Sequence, residues 1–283
     1  MKHKSIHIDT LEIFYREAGD PTKQTLLLLH GLPSTSAMYT DLMQRLSTDF
    51  HLVAPDYPGF GMSACPAPEE FEYSFDHLGQ VMLDFVAALQ LHSFHLYMQD
   101  YGGPVGFRIA CARPELIQSL IIQNANAYIE GLGPYPQNIG KLAAENNLAE
   151  LERLKDDLFS LEGIKMQYLK GATDTTKVDP ALYHLDYYFM QRPGIKTLQY
   201  RLFDNYASNF CRYDEWQAYF RSQQPKTLIL WGDGDPFFTV AGAQAYLGDL
   251  PGATIHLYNG SHCMLAEYAP EVTQHIKKFI HQQ

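Results

Sequence analysis

The chain has 283 residues, enough to bury a substantial core and to form one large α/β domain with an insertion. Its formal net charge of −11 argues against nucleic acid or an anionic membrane surface as a partner, and favours a small-molecule substrate that is apolar or cationic. The four cysteines are scattered and indicate neither a zinc site nor a disulfide framework. No segment resembles a signal peptide or a transmembrane span. We therefore expect a cytoplasmic protein, monomeric or homodimeric, that uses no cofactor and no metal.

Strand-like and helix-like segments alternate along most of the chain. Segments 6–8 and 11–16 predict a hairpin at one edge of a sheet. Six apolar runs predict buried parallel strands, at residues 25–29, 51–54, 94–98, 119–122, 227–231 and 254–257. Helices are predicted between them, at residues 76–89, 103–112 and finally 270–280, where a proline occupies the first turn. The alternation predicts a mostly parallel sheet with helices on both faces.

Residues 127–215 interrupt this alternation, because they contain helix-like stretches at 139–158 and 161–169 but no convincing strand. Nine of the 19 tyrosines lie in this region, namely Tyr128, Tyr135, Tyr168, Tyr183, Tyr187, Tyr188, Tyr200, Tyr206 and Tyr213. Ligands of parallel sheets bind at the carboxyl edge of the strands. We therefore predict a helical cap over that edge, on a core formed by residues 1–126 and 216–283. The tyrosines either pack the cap on the core or offer hydroxyls to a ligand.

The most informative feature lies where the apolar run 94–98 ends in QDYGG and a helix-like segment begins at once. A strand that turns so sharply into a helix lifts the side chain at the turn above the edge of the sheet. Hydrolases built in this way carry their nucleophile there, usually the serine of G-x-S-x-G. In this chain the position is held by Asp100. This substitution changes which reactions are chemically reasonable.

Three other predicted strands end in loops with residue types that serve in catalysis. The sequence HGLP follows the run 25–29, WGDGDP ends the run 227–231, and NGSH follows the last strand. These loops supply His30, then Asp233 or Asp235, and finally His262. Because the carboxyl ends of parallel strands meet at one edge, we expect the loops to share a site with the QDYGG turn. Nucleophile, acid and histidine follow each other in an order that one class of hydrolase uses.

With these motifs the chain resembles the α/β-hydrolase superfamily over nearly its whole length. The resemblance implies a triad of Asp100, His262 and Asp235, the acid being the aspartate directly before the proline. It also implies an oxyanion hole formed by the backbone N–H groups of Leu32 and Tyr101. Further residues are predicted to contact the substrate from the loops and the cap, namely His30, Asn126, Tyr128, Tyr187 and Tyr188.

Two branches of this superfamily are similar to the chain in different ways. The motif QDYGGPVG resembles the aspartate-nucleophile branch, in which haloalkane dehalogenases and epoxide hydrolases carry QDWGG and HDWGG. A looser likeness, which includes QNANAYIEGLG, is to the Est-type macrolide esterases, a group associated with antibiotic resistance. The first resemblance implies that Asp100 is a covalent nucleophile, and the second implies cleavage of an ester or lactone.

Each candidate reaction has its own requirements. Resemblance to a dehalogenase calls for tryptophan after the nucleophile and asparagine in the HGNP loop, where this chain has Tyr101 and Leu32. An epoxide hydrolase needs a carboxylate and acidic hydroxyls, which Asp100 and the tyrosine-rich cap supply in kind. In an esterase, His262 would activate a water molecule that Asp100 positions, since carboxylate attack on an ester gives a reactive mixed anhydride.

Whole-chain likeness and residue chemistry thus favour different substrates. We predict a hydrolase of an ester or lactone, with a macrolide antibiotic ring as a candidate substrate. An epoxide hydrolase with Asp100 as covalent nucleophile is the alternative. A haloalkane dehalogenase and a non-catalytic ligand-binding relative are less favoured, the latter because every triad position carries an ionisable residue of a suitable kind.

Overall fold

A computed structural model describes residues 1–281, and among them one sheet contains eight strands. The strands are β1 (Lys2–Ile8), β2 (Leu11–Ala18), β3 (Thr25–Leu29), β4 (His51–Pro55), β5 (Phe94–Gln99), β6 (Ile117–Gln123), β7 (Thr227–Gly232) and β8 (Thr254–Tyr258). The α-helices are α1 (Thr40–Leu46), α2 (Phe75–Ala88), α3 (Gly102–Ala112), α4 (Pro134–Ala144), α5 (Leu148–Leu158), α6 (Leu161–Leu169), α7 (Pro180–Met190), α8 (Ile195–Asn205), α9 (Tyr213–Gln223), α10 (Val240–Asp249) and α11 (Leu265–His281). Within residues 1–281, no helix has both the length and the apolar character that a membrane crossing requires.

The strands lie in the order β1-β2-β4-β3-β5-β6-β7-β8. β1 and β2 form an antiparallel hairpin at one edge, and β2 pairs antiparallel with β4. All pairings from β4 through β3, β5, β6 and β7 to β8 are parallel. The predicted edge hairpin and mostly parallel sheet are therefore confirmed. The arrangement brings the ends of β3, β5, β6, β7 and β8 to one edge.

Helices cover both faces of the sheet, as strand β3 illustrates. Leu27 and Leu29 pack into the core on the side of α2, α3 and α10, whereas Leu26 and Leu28 pack on the side of α1 and α11. Successive side chains of a strand point to opposite faces, so only a continuously apolar strand can be buried on both. The five-residue run of β3 meets this requirement.

Residues 124–226 connect β6 to β7 and contain α4 to α9; we call them the helical insertion. The predicted helical stretch 139–158 is interrupted in the structure between α4 and α5. Asn146 adopts a left-handed backbone conformation with φ of 52°, and the side chain of Asn147 caps α5 by accepting from the N–H of Glu150 at 3.4 Å. Asparagine tolerates the left-handed region and is a preferred helix cap, so this pair ends one helix and starts the next.

Helix α9, the last helix of the helical insertion, packs directly against the core. The Trp216 ring packs against the Phe107 ring of α3 with a centroid distance of 5.1 Å, and both side chains are fully buried. The predicted cap boundary between residues 215 and 216 falls inside α9. Because α9 is amphipathic like the helices before it, the sequence pattern alone does not show where the chain returns to the core.

The segment Leu265–His281 consists of two helices joined at a kink. Tyr268 leaves the helical region with φ of −120° and ψ of 21°, so a short first helix ends there. Pro270 lies in the first turn of the second helix, where the sequence predicted it. Proline has no N–H to continue the preceding helix and its ring crowds the preceding turn, which accounts for the break.

A buried polar network ties the helical insertion to the loop that follows β3. The Ser34 hydroxyl donates to Asp186 Oδ2 at 2.9 Å, and the Tyr168 hydroxyl donates to the same oxygen at 2.5 Å. All three side chains are buried, Asp186 on α7 and Tyr168 on α6. Burial raises the pKa of Asp186 to about 6, although both hydroxyls act in the opposite direction.

We predict that Asp186 makes the protein less stable as pH rises through the pKa of its folded state. Because that pKa lies above the unfolded value, ionisation costs the folded state nothing below about pH 4 and progressively more up to about pH 6. Asp186→Asn keeps an acceptor oxygen and removes the charge. Relative to wild type, its free energy of unfolding should gain on the order of 3 kcal/mol between pH 4 and pH 7.

Urea unfolding at several pH values measures this difference. Asp214→Asn, which alters an exposed carboxylate of the helical insertion, is the matched control and should follow the wild-type profile. Parallel profiles for wild type and Asp186→Asn would show that Asp186 does not ionise in this range.

Candidate active site

The turn between β5 and α3 presents Asp100 at the carboxyl edge of the sheet. Asp100 has φ of 50°, a left-handed conformation that is uncommon for residues other than glycine but is tolerated by aspartate. Gly102 approaches the neighbouring strand so closely that a Cβ there would lie 2.1 Å from the carbonyl oxygen of Leu29. The sharp turn predicted from QDYGG is therefore made possible by a glycine two residues after the aspartate.

The two oxygens of the Asp100 carboxylate have different surroundings. Oδ1 accepts the backbone N–H of Leu32 at 2.7 Å, and the N–H of Tyr101 also bonds the carboxylate. Oδ2 lies 3.7 Å from Nε2 of His262. Burial raises the pKa of Asp100, while His262 and the two N–H groups act against it. The two N–H groups predicted to form an oxyanion hole are thus directed at the carboxylate of Asp100.

His262 lies in the loop after β8 and faces two carboxylates. Its Nδ1 is 2.7 Å from Oδ2 of Asp235, which is buried, whereas Asp233 is exposed. The structure therefore brings Asp235, and not Asp233, to the histidine. Burial lowers the pKa of His262, but the carboxylates of Asp235 and Asp100 together outweigh burial, so the pKa is raised. Since Nδ1–H donates to Asp235, the neutral ring has its lone pair on Nε2.

Asp235 is itself held in place by two donors. The amide of Asn124 donates to Oδ2 at 2.8 Å, and the N–H of Phe237 donates to Oδ1 at 2.7 Å. Asn124 is the first residue after β6 and has φ of 40°. Sequence reasoning missed this residue. The available signal was its place, since a polar residue directly after a central strand lies at the same edge as the triad.

Gln99, the last residue of β5, also contacts His262 and was not predicted. Its amide nitrogen lies 3.1 Å from Nε2 of His262, and the side chain is buried. Gly31 makes room for it, because a Cβ on Gly31 would lie 2.2 Å from Oε1 of Gln99 and 2.5 Å from Cβ of Asp100. The glycine of the HGLP loop therefore allows the loop to approach both side chains.

A cavity of about 250 Å³ lies over this group of residues. Leu32, Asp100, Tyr101 and His262 line it from the core. The remaining wall is mostly apolar and combines aliphatic residues, such as Ile139 and Leu151, with the aromatic residues Tyr135, Phe203, Tyr206, Phe210, Phe237 and Phe238. Lys155 and Asp204, which form an ion pair between α5 and α8, add charged groups to the lining. The helical insertion supplies most of the wall, as expected for a cover over the edge of the sheet.

Tyr206 differs from the other tyrosine that the helical insertion contributes to the cavity. Its hydroxyl is buried and has no hydrogen-bond partner within residues 1–281, whereas the Tyr135 hydroxyl donates to a backbone carbonyl at 3.2 Å. The Tyr213 hydroxyl is a neighbour, but the pair does not reach hydrogen-bond geometry. The Tyr206 ring stacks on Tyr101 at 5.7 Å. Burial raises the pKa of Tyr206, as do Tyr213 and Asp100, so the phenol stays protonated near neutral pH.

Three of the residues predicted to contact the substrate serve other purposes. His30 is buried, and its Nδ1 lies 2.9 Å from the carbonyl oxygen of Gly31. Asn126 donates to the backbone oxygen of Tyr128 at 2.7 Å, and the Tyr128 hydroxyl donates to Asp249 at 2.8 Å. None of the three is among the described residues that line the cavity. Their polar groups are satisfied within the loops and the neighbouring helices.

Tyr187 and Tyr188 also lie away from the cavity. Both belong to α7, where Tyr188 is 67% exposed and Tyr187 borders a separate surface groove. The buried face of α7 is instead formed by Tyr183, Asp186 and Met190. None of the described residues of α7 lines the cavity, so neither tyrosine reaches it.

Comparison with known proteins identifies the family. A family model described as the α/β hydrolase fold matches residues 24–268. The chain belongs to this family and is a hydrolase of the α/β-hydrolase superfamily. The fold and superfamily inferred from the sequence motifs are confirmed.

Relatives of known sequence include several hydrolases. An uncharacterized hydrolase of Saccharomyces cerevisiae is 35% identical over 279 residues, covering 97% of this chain and 95% of that protein. Haloalkane dehalogenase 2 of Mycobacterium tuberculosis is 36% identical over 112 residues, 40% of this chain and 38% of that protein. Epoxide hydrolase 4 of Mus musculus is 26% identical over 248 residues, 83% of this chain and 66% of that protein.

Solved structures share the fold across nearly the whole chain. A haloalkane dehalogenase loop variant from Bradyrhizobium elkanii superposes with a TM-score of 0.75 at 18% identity, covering 99% of this chain and 96% of that chain. A meta-cleavage product hydrolase from Pseudomonas fluorescens gives a TM-score of 0.78 at 20% identity, covering 99% and 97%. At these identities the likeness establishes the fold alone.

We predict that Gly31→Ala lowers turnover while the fold survives. The added methyl group would displace Gln99 and Asp100, and a displacement of about 1 Å at reacting groups costs on the order of 100-fold in rate. Steady-state kinetics and thermal melting measure the two effects. Gly248→Ala, at a glycine of α10 with open space around it, is the matched control. Wild-type kcat in Gly31→Ala would contradict the close approach of the loop to the carboxylate.

Proposed function

We propose that the protein is an epoxide hydrolase in which Asp100 is the covalent nucleophile, which was the alternative in the sequence analysis. The observation that carries this proposal is the asymmetric environment of the Asp100 carboxylate. Oδ1 accepts the backbone N–H of Leu32, the N–H of Tyr101 also bonds the carboxylate, and Oδ2 lies near Nε2 of His262. A carboxylate held in this way is oriented for attack through Oδ2 on a saturated carbon.

The first half-reaction would open the epoxide ring. Oδ2 of Asp100 attacks a ring carbon, the carbon–oxygen bond on that carbon breaks, and an ester forms between Asp100 and the substrate. The departing oxygen takes a proton from a phenol. Tyr206 supports this role because it lines the same cavity, remains protonated near neutral pH and has a hydroxyl not engaged by residues 1–281. General acid catalysis of this kind contributes about 100- to 10,000-fold.

The second half-reaction would hydrolyse the ester on Asp100. Neutral His262, oriented by Asp235, takes a proton from water at Nε2 while the water oxygen attacks Cγ of Asp100. Negative charge develops on Oδ1, which the N–H of Leu32 already contacts, and the N–H of Tyr101 also bonds this carboxylate. One such donor is worth about 3 to 4 kcal/mol in comparable sites. The ester bond then breaks and the diol leaves with the proton from the histidine. The second proton of the water returns to the phenolate that protonated the epoxide oxygen, and the oxygen of the water stays in the carboxylate of Asp100.

The same geometry makes an ester or lactone a poorer substrate than the sequence suggested. A substrate carbonyl oxygen could use the N–H groups of Leu32 and Tyr101 only by displacing the carboxylate of Asp100. The cavity of about 250 Å³ is also smaller than the 300 to 1,000 Å³, approximately, of pockets that enclose drug-sized ligands. A macrolide ring is larger still. Both observations favour a small substrate with an electrophilic saturated carbon.

The residues around the cavity favour epoxide opening, in which oxygen leaves the carbon, over dehalogenation, in which a halide leaves. The two tryptophans do not line the cavity among the described residues; Trp231 donates to the carbonyl oxygen of Phe238 at 3.1 Å, and Trp216 packs against α3. Leu32 has no side-chain donor at the position where the dehalogenase motif has asparagine. A phenol such as Tyr206 can deliver a proton, which an alkoxide needs and a halide does not. The relatives include haloalkane dehalogenases as well as mouse epoxide hydrolase 4, so the choice rests on these residues.

Single-turnover hydrolysis in water labelled with oxygen-18 tests the nucleophile. With enzyme in excess over styrene oxide, we expect the label in the peptide that contains Asp100 and unlabelled oxygen in the diol, measured by mass spectrometry. Asp100→Asn should form no covalent adduct, while His262→Gln should accumulate it because the ester is no longer hydrolysed. Label that enters the product directly would refute the covalent route.

A parallel substrate screen tests the reaction class. We expect turnover of aryl or alkyl epoxides that exceeds turnover of a simple aryl ester and a macrolide lactone. Cleavage of the ester or the lactone with no epoxide turnover would contradict the proposal. It would favour the ester or lactone hydrolase that the sequence analysis predicted.

We further predict that Tyr206→Phe slows formation of the covalent adduct by about 100-fold or more, because the departing oxygen loses its proton donor. Rapid-quench measurement of the adduct isolates this step from ester hydrolysis. Tyr187→Phe is the matched control, since Tyr187 lies on the same helical insertion but away from the cavity. Adduct formation at the wild-type rate in Tyr206→Phe would remove this residue from the mechanism.

A further inference from the structure

We propose that Gln99 is a positioning residue that keeps Nε2 of His262 unprotonated and holds the ring until the hydrolytic water takes the place of its amide. The effect on the histidine is independent of the substrate. Its consequence for turnover rests on the proposed function, because water must replace the amide for the ester on Asp100 to be hydrolysed.

The proposal begins from a contact between two nitrogen atoms. Nε2 of His262 lies 3.1 Å from the amide nitrogen of Gln99, and Nδ1 lies 2.7 Å from Asp235. Asp235 accepts the Nδ1 proton, so the neutral ring has only a lone pair at Nε2. An amide N–H can donate to that lone pair but not to an imidazolium N–H. The arrangement thus fits the neutral histidine.

The charged groups around His262 act in the opposite direction. The carboxylates of Asp235 and Asp100 lie 2.7 and 3.7 Å from its two nitrogens, and both favour the imidazolium form. On other sides the ring contacts Phe237 and Phe238, with centroid distances of 5.0 and 5.9 Å. A histidine paired with two carboxylates would lose its function as a base if it were protonated at neutral pH. A donor on Nε2 stabilises the neutral form and offsets this tendency.

The amide of Gln99 is fixed from several directions. Its backbone belongs to β5 and pairs with Gln123 of β6, so the side chain starts from a rigid strand. The side chain is 1% exposed, and Gly31 leaves space for Oε1 that a Cβ would fill. Burial at this level prevents bulk water from taking the place of the donor. A single water that enters with the substrate is therefore the competitor for Nε2.

Two variants of similar volume test whether the amide donor of Gln99 sets the protonation of His262. Gln99→Met keeps the volume and removes the donor, whereas Gln99→Glu replaces the donor with an acceptor that favours the imidazolium. We expect the pKa of His262 to rise by about one unit in Gln99→Met and further in Gln99→Glu. Nuclear magnetic resonance of the intact protein with nitrogen-15-labelled histidine measures this pKa, with the His262 signal assigned by its loss in His262→Gln.

The kinetic readout is the hydrolysis of the covalent adduct. The pH below which adduct hydrolysis slows should shift to higher pH by the same amount as the pKa of His262. The rate of adduct formation should change by less than threefold. An unchanged pKa in both variants would overturn the proposal. If Gln99→Met failed to fold by circular dichroism, Gln99→Glu alone would decide. A raised pKa without any adduct in wild type would instead refute the covalent mechanism and leave the role of Gln99 intact.

Discussion

The site depends on two backbone N–H groups that bond a single carboxylate, that of Asp100. Leu32 and Tyr101 lie in different loops, after β3 and after β5, and these strands are direct neighbours in the sheet. Their N–H groups meet at Asp100 only because Gly31 and Gly102 let the backbone approach the neighbouring side chain and strand. With Oδ1 fixed, the second oxygen is free to act. The asymmetry of one carboxylate thus follows from the close packing of two strand ends.

Three ionisable side chains share a small, mostly apolar volume, and each needs a partner to be stable there. Asp235 has the amide of Asn124 and the N–H of Phe237, Asp100 has two N–H groups, and His262 lies between the carboxylates. Buried charges without such donors would be costly. The neutral donors Asn124 and Gln99 are therefore as much a part of the site as the charged groups. Asn124 donates to Asp235, and Gln99 contacts Nε2 of His262.

The strand pattern and the order of motifs were sufficient to predict the sheet, the family and the residues that meet at its edge. Asp100, Asp235 and His262 could be selected because each follows a recognisable buried strand. The residues that line the cavity from the helical insertion could not be predicted. A tyrosine in the sequence gives no sign of whether its side chain faces a ligand or packs in the core. Tyr187 and Tyr188 were among the predicted contacts, but the tyrosines of the helical insertion that line the cavity are Tyr135 and Tyr206. Gln99 could not be predicted, because its contact with His262 arises only when β5 and the loop after β8 meet in the fold.

The catalytic groups and the cavity wall come from different parts of the chain, which has a consequence for how such proteins diversify. Every group assigned to bond breaking except Tyr206 comes from loops anchored on strands, while α4 to α8 mainly shape the space above them. Helix α9 packs on α3, the helix that Asp100 precedes, and so fixes the attachment point. Exchange of the segment before α9 between relatives would therefore be a natural route to new substrate ranges, with the nucleophile and its base inherited unchanged.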